Sequence, residues 1–260
     1  MKKIVSSTTQ KLVDFIADTL KISKNKAKEI VDQKRVFVNN KPVWIASHIL
    51  KPSDVIEIAP PKEKYGQYQI VYEDENFIVI DKGPGLIVTD SNNSLENILR
   101  SKYGPNIKAV HRIDKDTTGL VIFAKSMDIF NQMKEKWESV EKTYFCISLN
   151  EAGFKVKEIS YPIGNKPALS TVILVSKNNG LSLFKVRTFT GRKHQIRIHL
   201  SKIGFPILGD YVYGPKRNNF RVSRQMLHAY KIHFSFQSKS LTLVSPLPED
   251  MKRLIKEYGL

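Results

Sequence analysis

The sequence has a single cysteine and no long apolar run, and these two absences limit the kinds of protein it can be. With Cys146 alone, no disulfide can form within the chain, which suits a reducing compartment, and we expect a cytoplasmic protein. Cys146 stands in an apolar run and is more typical of a buried core residue than of a nucleophile. No run of about 18 apolar residues occurs and the N-terminus lacks an apolar signal core, so we expect neither a membrane span nor a signal peptide.

Several catalytic signatures are absent as well. The sequence has no Gly-x-x-x-x-Gly-Lys-Ser/Thr loop of the kind that nucleoside triphosphatases use. No order of His, Ser and Asp residues in it indicates a catalytic triad with a nucleophile. Residue types that bind metals do occur, namely His111, Asp114, His194, His199 and Asp210. However, His194 and His199 are five positions apart, which places them on opposite faces of a strand or roughly 140° apart on a helix. A metal-dependent hydrolase is therefore the weaker alternative.

Acidic residues are few compared with basic ones. Lysine and arginine number 42 against 25 aspartates and glutamates, a formal net charge of +17. Residues 1–66 hold 13 basic and 7 acidic residues, so that part contributes 13 − 7 = +6 and the remainder +11. Such an excess favours a polyanionic partner, usually nucleic acid, over the alternative of a generally basic enzyme. Hydrophobic residues make up 41% of the chain, which is enough for a sizeable core.

One polar stretch, residues 111–120, concentrates the groups that carry chemistry. It holds His111, Arg112, Asp114 and Asp116, and it leads directly into an apolar run at 120–124 that is typical of a buried strand. Taken alone, the stretch fits an exposed turn as well as an active site, because aspartate and glycine are common in turns. A carboxylate beside arginine is held ionised and can act as a nucleophile or a base.

The first sixty residues predict two helices followed by a small sheet. Leu12, Phe15 and Ile16 recur at helical spacing, and Ser23 is a suitable N-cap for a second helix. Asn39 and Asn40 then separate two short strand-like runs, as expected of a tight hairpin. We predict a domain at residues 1–60, a linker at 61–66 that is rich in proline and charge, and a second domain at 67–260.

In the second domain, short strands with inserted helices and no regular β-α-β alternation predict an α+β fold. We expect a strand at 86–88 after the Gly83-Pro84-Gly85 turn. The segment 190–204 is compatible with a strand or a helix, and Gly204 followed by Pro206 favours the helix.

The order of elements at residues 8–60 resembles the small RNA-binding domain of ribosomal small-subunit protein four. The stretches that carry the resemblance are 11–17, 22–28, 35–41 and 52–58. In that family the lysine-bearing second helix meets the RNA backbone. The resemblance therefore implies RNA contacts for Lys21, Lys24, Lys28 and Arg35, against the alternative of a solvated charged face.

Residues 67–250 resemble the pseudouridine synthases of the ribosomal large-subunit type. Residues 111–120 look like the signature of that family, and further matching stretches follow in the expected order at 74–86, 142–144, 190–199, 204–214 and 227–229. The chain departs from the family at Ile113 and Thr118, where leucine and serine are common, and at the Lys82-Gly83-Pro84 step. The first two replacements keep the chemical character, and the third bears on the shape of one turn.

The resemblance implies a central antiparallel mixed sheet with flanking helices and a cleft in which uridine in RNA is isomerised. Asp114 would be the essential carboxylate, and Arg197 would pair with it. Tyr144 would pack on the target base, Leu227 would line the pocket, and Arg112 would enter the base stack that the target leaves. No redox step or phosphate donor is involved, so we expect no cofactor and no metal.

The expected substrate is ribosomal RNA of the large subunit, with transfer RNA as an alternative, and we expect a monomer. A protein that keeps the fold but only binds RNA or assists ribosome assembly is the alternative from another class. The presence of Asp114, Tyr144 and Arg197 together favours the enzyme. We expect His111, His194 and His199 to be structural hydrogen-bonding residues rather than acid–base groups.

Overall fold

The computed structural model describes residues 2–59, 66–215 and 220–260. Most of the predicted linker at 61–66 therefore lies outside the described residues. By its internal contacts the chain divides into two compact units. The first unit is Met1–Lys62 with Lys216–Arg224, and the second is Glu63–Pro215 with Gln225–Leu260.

The first unit contains two helices and six short strands. They are β1 (Lys2–Val5), β2 (Gln10–Lys11), α1 (Leu12–Leu20), α2 (Lys24–Asp32), β3 (Val36–Val38), β4 (Lys41–Val43), β5 (Ile49–Leu50) and β6 (Val55–Ile58). The strands form a four-stranded sheet in the order β1-β6-β3-β4 and a separate pair, β2 with β5. The arrangement is the predicted one of two helices against a small sheet.

Local sequence signals explain where these elements begin and end. The Ser23 hydroxyl accepts a hydrogen bond from the Lys26 amide at 3.3 Å and so caps α2. Asn39 and Asn40 both adopt positive φ, 51° and 63°, and join β3 to β4 as a hairpin turn. The apolar side chains of α1 that face the sheet are buried, and each contributes roughly 1.5–3 kcal/mol to stability.

The first unit includes a segment far from it in sequence. Glu57 on β6 has a side chain only 1% exposed, and its carboxylate accepts hydrogen bonds from both terminal nitrogens of Arg221. A buried carboxylate needs a counter-charge, so Arg221 secures residues 220–224 to this unit. This segment lies within 67–260, the range predicted for the second domain, and no local sequence signal marks it as part of the first unit.

The second unit is built on ten strands and four helices. They are β7 (Tyr68–Glu73), β8 (Phe77–Lys82), α3 (Leu95–Tyr103), β9 (Lys108–Ala109), β10 (Thr118–Ala124), α4 (Met127–Glu135), β11 (Glu141–Leu149), β12 (Val156–Ile159), β13 (Ser170–Asn178), β14 (Leu181–Thr188), α5 (Gln195–Lys202), β15 (Leu227–Phe236), β16 (Lys239–Val244) and α6 (Glu249–Tyr258). All ten strands belong to one sheet. The predicted α+β class is confirmed, and 190–204 does contain a helix.

The main path of the sheet runs β12-β13-β14-β11-β15-β10-β8-β7, with β16 on β15 and β9 on β10. Every pairing is antiparallel except that of β10 with β15, where Thr118 lies opposite His228 and Gly119 opposite Ala229. The sheet is therefore mixed. The parallel pair brings the beginnings of two strands to the same place, and this is where the candidate site lies.

Strand β10 is buried along its whole length because helices cover both of its faces. Leu120 and Ile122 pack into the cluster that contains Met133 of α4. Val121 and Phe123 point the other way and pack into the cluster that contains Leu99 of α3. This alternation gives a rigid element directly after the polar stretch.

The strand expected at residues 86–88 is not present. Leu86 and Val88 are buried as apolar residues should be, but their backbone serves another purpose. The Ile87 and Val88 carbonyls accept hydrogen bonds from the Leu95 and Glu96 amides at 2.8 and 3.0 Å. Those amides belong to the first turn of α3, which lacks acceptors of its own, so the segment caps a helix instead of joining a sheet.

Candidate active site

Asp114 lies in the turn that leads into β10. The turn is closed by a hydrogen bond from the Thr117 amide to the Asp114 carbonyl at 3.0 Å, and the Asp114 side chain is about one quarter exposed. Ile113 just before it is buried in the core cluster of Val121 and Phe123. A carboxylate between a buried anchor and a buried strand has a well-defined position while still reaching solvent.

The expected ion pair between Asp114 and Arg197 is present. Arg197 Nη1 donates to Asp114 Oδ2 at 2.8 Å, and Gln225 Nε2 approaches the same oxygen at 3.4 Å. Gln225 also donates to the Thr117 hydroxyl at 2.7 Å, which ties it to the same turn. Arg197 stands on α5 with its side chain only 6% exposed, so its guanidinium is held within the protein.

A second carboxylate, Asp210, holds the other edge of the Arg197 guanidinium. Arg197 Nε and Nη2 donate to its two oxygens at 2.7 and 2.9 Å, a bidentate arrangement. The Val212 and Tyr213 amides donate to Asp210 Oδ1 as well, at 3.0 and 3.1 Å. Arg197 is thus anchored on one side by a buried acid and presents its remaining nitrogen to Asp114.

The titration behaviour of the pair follows from these contacts. Burial lowers the pKa of Arg197, but the hydrogen bond and charge of Asp210, and then those of Asp114, outweigh it and raise that pKa above its ordinary value. For Asp210, burial raises the pKa, and the hydrogen bond and charge of Arg197 hold it below its ordinary value. The two side chains are therefore a charged pair across the physiological pH range.

Asp114 Oδ1 faces a different partner, His194. The distance from His194 Nε2 to this oxygen is 3.5 Å, and His194 Nδ1 lies 2.9 Å from the Tyr213 hydroxyl. Burial lowers the pKa of His194 below its ordinary value, and the charge of Asp114 only partly opposes this. The imidazole is therefore a neutral group at neutral pH.

The Asp114 carboxylate opens into a small cavity of about 80 Å³ whose walls include Ile113, Tyr144 and Leu227. Burial raises the pKa of Tyr144 above its ordinary range, and the charge of Asp114 acts in the same direction, so the phenol stays neutral. The register between β11 and β15 shifts at Tyr144, with Tyr230 as the extra residue. A bulge of this kind redirects a side chain, and here the ring faces the carboxylate.

A second cavity of about 480 Å³ adjoins the first and shares Arg112, Tyr144 and Arg192 with it. Arg112 is more than half exposed and pairs with Asp90, which is itself exposed. The structure therefore places the four residues predicted for the site together with Asp114 around one cleft: Arg112, Tyr144, Arg197 and Leu227.

His111 and His199 are engaged in other contacts, although His111 contributes to the wall of the second cavity. His111 Nε2 accepts from the Ile122 amide at 3.1 Å, and its ring stacks on Trp137 at 4.8 Å. The pKa of His111 is lowered to about 3, mainly by burial and to a smaller extent by the nearby positive charges of Lys142 and Lys134. His199 bonds to the Ser170 hydroxyl at 3.0 Å and to the Tyr161 carbonyl at 2.8 Å.

The predicted RNA-binding residues of the first unit are of two kinds. Lys21, Lys24 and Lys28 are exposed at the end of α1 and along α2. Arg35 is buried instead, with a side chain that donates through two nitrogens to the Ala59 carbonyl at 3.1 and 3.0 Å. Arg35 is therefore not part of the exposed lysine face that was predicted to contact RNA, because its guanidinium is bound to the backbone of this unit.

Sequence reasoning did not assign site roles to Asp210, Tyr213 and Gln225. Asp210 and Tyr213 stand in the Gly-Asp-Tyr-Val-Tyr-Gly stretch at 209–214, which is one of the stretches that carry the family resemblance. An acidic residue in that stretch was therefore a candidate partner for Arg197. No comparable signal marks Gln225. Among the described residues, no three His, Cys, Asp or Glu side chains are grouped so that they can hold a metal ion.

No helix in the described ranges combines the length and apolar character needed to cross a bilayer.

Two family models match the chain. The model of the RNA pseudouridylate synthases matches residues 76–202, which include the cleft residues from Arg112 to Arg197. The model of the S4 domain matches residues 10–56, which include both helices of the first unit.

Similar proteins span nearly the same length. The ribosomal large subunit pseudouridine synthase D of Buchnera aphidicola is 32% identical over 226 residues, which cover 71% of this chain and 71% of that protein. An uncharacterized RNA pseudouridine synthase of Bacillus subtilis is 28% identical over 96% of this chain and 93% of its own length. Among solved structures, human RNA pseudouridylate synthase domain containing 1 shares the fold, with a TM-score of 0.62 and 20% identity, over 76% of this chain and 97% of its own.

Proposed function

Because the chain belongs to the RNA pseudouridylate synthase family, whose members are isomerases, we propose that it converts uridine to pseudouridine in RNA with Asp114 as the essential carboxylate. The observation that carries this proposal is the pairing at the cleft. Asp114 is held by Arg197, which is held by buried Asp210, and the carboxylate opens into a cavity beside the neutral ring of Tyr144.

In this reaction the main task of the protein is to hold and orient the uracil and the ribose. The bond from uracil N1 to ribose C1′ breaks, the uracil turns while bound, and a bond from C5 to C1′ forms. C5 loses a proton and N1 gains one, so the composition of the nucleotide does not change. A carboxylate with one fixed oxygen beside a small cavity lined by Tyr144 and Leu227 suits a step in which a detached base must be kept in place.

The remaining cleft residues receive roles that match their surroundings. The flat ring of Tyr144 offers a stacking surface for the uracil, and Leu227 closes the cavity. Arg112 stands at the exposed rim of the cleft, where it pairs with Asp90. When RNA binds, a phosphate takes the place of Asp90, and Arg112 fills the position that the extruded base leaves in the stack. The proposal assigns Asp114, Tyr144 and Arg197 to catalysis and Arg112 and Leu227 to substrate binding.

For the substrate we propose ribosomal RNA of the large subunit. Relatives from Nitrosomonas europaea and Buchnera aphidicola bear the name ribosomal large subunit pseudouridine synthase D. The net charge of +17 supports a polyanion, and the exposed Lys21, Lys24 and Lys28 support an RNA contact by the S4 domain. The proposal includes a monomer that acts in the cytoplasm.

The deciding experiment compares wild type with Asp114→Asn, which removes the charge with little change in volume. Both are expressed in cells that lack the gene, and pseudouridine is mapped across ribosomal and transfer RNA by carbodiimide treatment and primer extension. We expect wild type to restore at least one modified site in large-subunit RNA and Asp114→Asn to restore none.

Each other outcome has a clear meaning. Sites restored only in transfer RNA would replace the proposed substrate and keep the enzyme. Sites restored equally by both proteins would remove Asp114 from catalysis. If no site in either RNA class depends on the protein, the alternative of an RNA-binding assembly factor takes its place.

A further inference from the structure

The two oxygens of the Asp114 carboxylate are in different surroundings. Oδ2 receives N–H groups from Arg197 and, at longer range, from Gln225. Oδ1 faces His194 Nε2, at 3.5 Å. The hydrogen bond at Oδ2 already restrains rotation of the carboxylate about its Cβ–Cγ bond, because that rotation would carry Oδ2 away from Arg197. The second contact, at Oδ1, narrows the remaining rotation.

His194 is held at this oxygen by an unusual backbone conformation. Its φ of 56° and ψ of 22° lie in the left-handed region, which a residue with a side chain occupies at a cost of roughly 1–2 kcal/mol. It occupies the N-cap position of α5, yet its side chain makes no capping bond there. The His194 carbonyl accepts a hydrogen bond from the Ile198 amide at 2.9 Å, but the side chain does not cap the helix and its imidazole instead faces Asp114.

The Asp114 carboxylate favours one tautomer of the His194 ring, and the Tyr213 hydroxyl accommodates it. A lone pair on Nε2 would repel Oδ1, whereas an N–H at Nε2 attracts it. That arrangement leaves Nδ1 as the acceptor for the Tyr213 hydroxyl at 2.9 Å, and the two rings meet edge to face at 5.6 Å. Of the charged groups that act on the imidazole, Asp114 and Asp210 raise its pKa, whereas Arg197 and Lys193 lower it.

We propose that His194, in the tautomer favoured by Asp114 and accommodated by Tyr213, is a positioning residue that aims Oδ1 of Asp114 at the substrate. The inference rests on the proposed function and names Oδ1 as the reacting oxygen. Its long contact with a neutral N–H is easily given up when substrate arrives, whereas Oδ2 stays bound to Arg197. Low pH weakens this positioning role, because a protonated His194 would hold Oδ1 in an ion pair and keep it from the substrate.

The first test needs no RNA. Nitrogen-15 NMR of the imidazoles in the full-length protein reads both the tautomer and the titration of His194. We expect the Nε2–H tautomer and a pKa below 6.5, and a further decrease in Asp114→Asn, because the charge of Asp114 raises the pKa of His194. An Nδ1–H tautomer, or a His194 pKa that does not respond to Asp114→Asn, overturns the proposal whether or not the protein modifies RNA.

The second test uses turnover, followed as tritium released from uracil C5 in ribosomal RNA isolated from cells that lack the gene. His194→Gly removes the ring and relieves the backbone strain, so the fold is retained while kcat should fall about 100-fold with little change in KM. His194→Gln keeps an N–H donor but cannot titrate. We expect it to recover part of kcat and to lose the acid limb that wild type shows below pH 6.5.

The outcomes separate the two proposals. A His194→Gly protein that keeps kcat within about twofold of wild type overturns the positioning role, as does a His194→Gln protein with an unchanged acid limb. If wild type releases no tritium although the tautomer and coupling are as expected, the proposed function fails and the geometry of His194 stands.

Discussion

At the scale of single residues, the site is a chain of charges in which each member holds the next. Asp210 is almost fully buried, and its two oxygens accept hydrogen bonds from Arg197 and from two backbone amides. Arg197 then has one nitrogen left for Asp114. Buried ion pairs add little net stability when intact, but removing one partner leaves an uncompensated charge. Asp210 is therefore the member whose loss should disturb the site most without touching the substrate.

We expect Asp210→Asn to lower the free energy of unfolding by about 3 kcal/mol and to lower turnover as well. The amide keeps the volume but loses the charge, and its NH₂ group meets donors of Arg197 and the backbone. Urea denaturation of wild type and variant, followed by circular dichroism, measures the difference in stability.

Asp90→Asn is the matched control for that stability measurement. It removes a carboxylate from another arginine pair, that with Arg112, but both side chains there are more than half exposed. Exposed pairs are worth about 0–1 kcal/mol because water screens them. Equal losses of stability in the two variants would contradict the anchoring role given to Asp210.

At the scale of elements, β10 is the strand on which the site depends. Its two faces are packed by different helices, so its position is defined from both sides. Its parallel pairing with β15 begins at Thr118 and Gly119, just after the turn that holds Asp114. Gly119 has a φ of 107°, and a Cβ placed there would lie 2.2 Å from the Ala229 carbonyl oxygen.

We therefore expect Gly119→Ala to destabilise the protein by more than about 4 kcal/mol or to prevent folding, since the methyl group would push β15 away from β10. Equilibrium unfolding in urea, or the soluble yield where the protein does not fold, measures this. The displaced partner strand carries Leu227, so turnover should fall in any folded fraction.

Gly104→Ala separates crowding from backbone strain. Gly104 has a similar φ of 101° at the end of α3, but a Cβ there meets no atom within 4 Å. Its substitution should therefore show the cost of the backbone conformation alone, about 1–3 kcal/mol. A Gly119→Ala protein as stable as Gly104→Ala would show that the contact with Ala229 is relaxed at little cost.

At the scale of the whole molecule, the sequence carries two basic units, and each contributes to the excess of positive charge. The first contains an exposed lysine face on a short amphipathic helix, at α2. Lysines that contact phosphates release counterions, so binding becomes weaker and less dependent on salt when they are removed.

We expect the triple change of Lys21, Lys24 and Lys28 to Gln to weaken binding to large-subunit ribosomal RNA and to reduce the slope of log affinity against log salt by up to about 2–3. Filter binding over a range of potassium chloride concentrations measures both. Unchanged affinity and slope would remove the three lysines from the RNA interface.

A matched triple change serves as the control. Lys252, Arg253 and Lys256 are exposed on α6, and their replacement by Gln removes the same three charges from the second unit. A general effect of net charge would change binding equally in both variants. A larger effect of the first triple assigns the contact to the S4 domain.

The sequence by itself determined the local elements and the chemical identity of the site. Helical spacing located α1, the Ser23 cap located α2, and two asparagines that tolerate positive φ located the β3–β4 hairpin. Asp114, Tyr144 and Arg197 stand in stretches long enough to be recognised. These features are readable because each depends on residues that are close together in the chain.

Only the tertiary structure decided what depends on distant partners. Arg35 is buried under the Ala59 carbonyl and not exposed with the lysines, and residues 86–88 cap α3 instead of forming a strand. Asp210 as the anchor of Arg197, and His194 as the partner of Asp114 Oδ1, are visible only once the chain is folded. Burial, the φ of a single residue and the neighbour of one carboxylate oxygen are set by packing between segments tens of residues apart, and no local pattern records them.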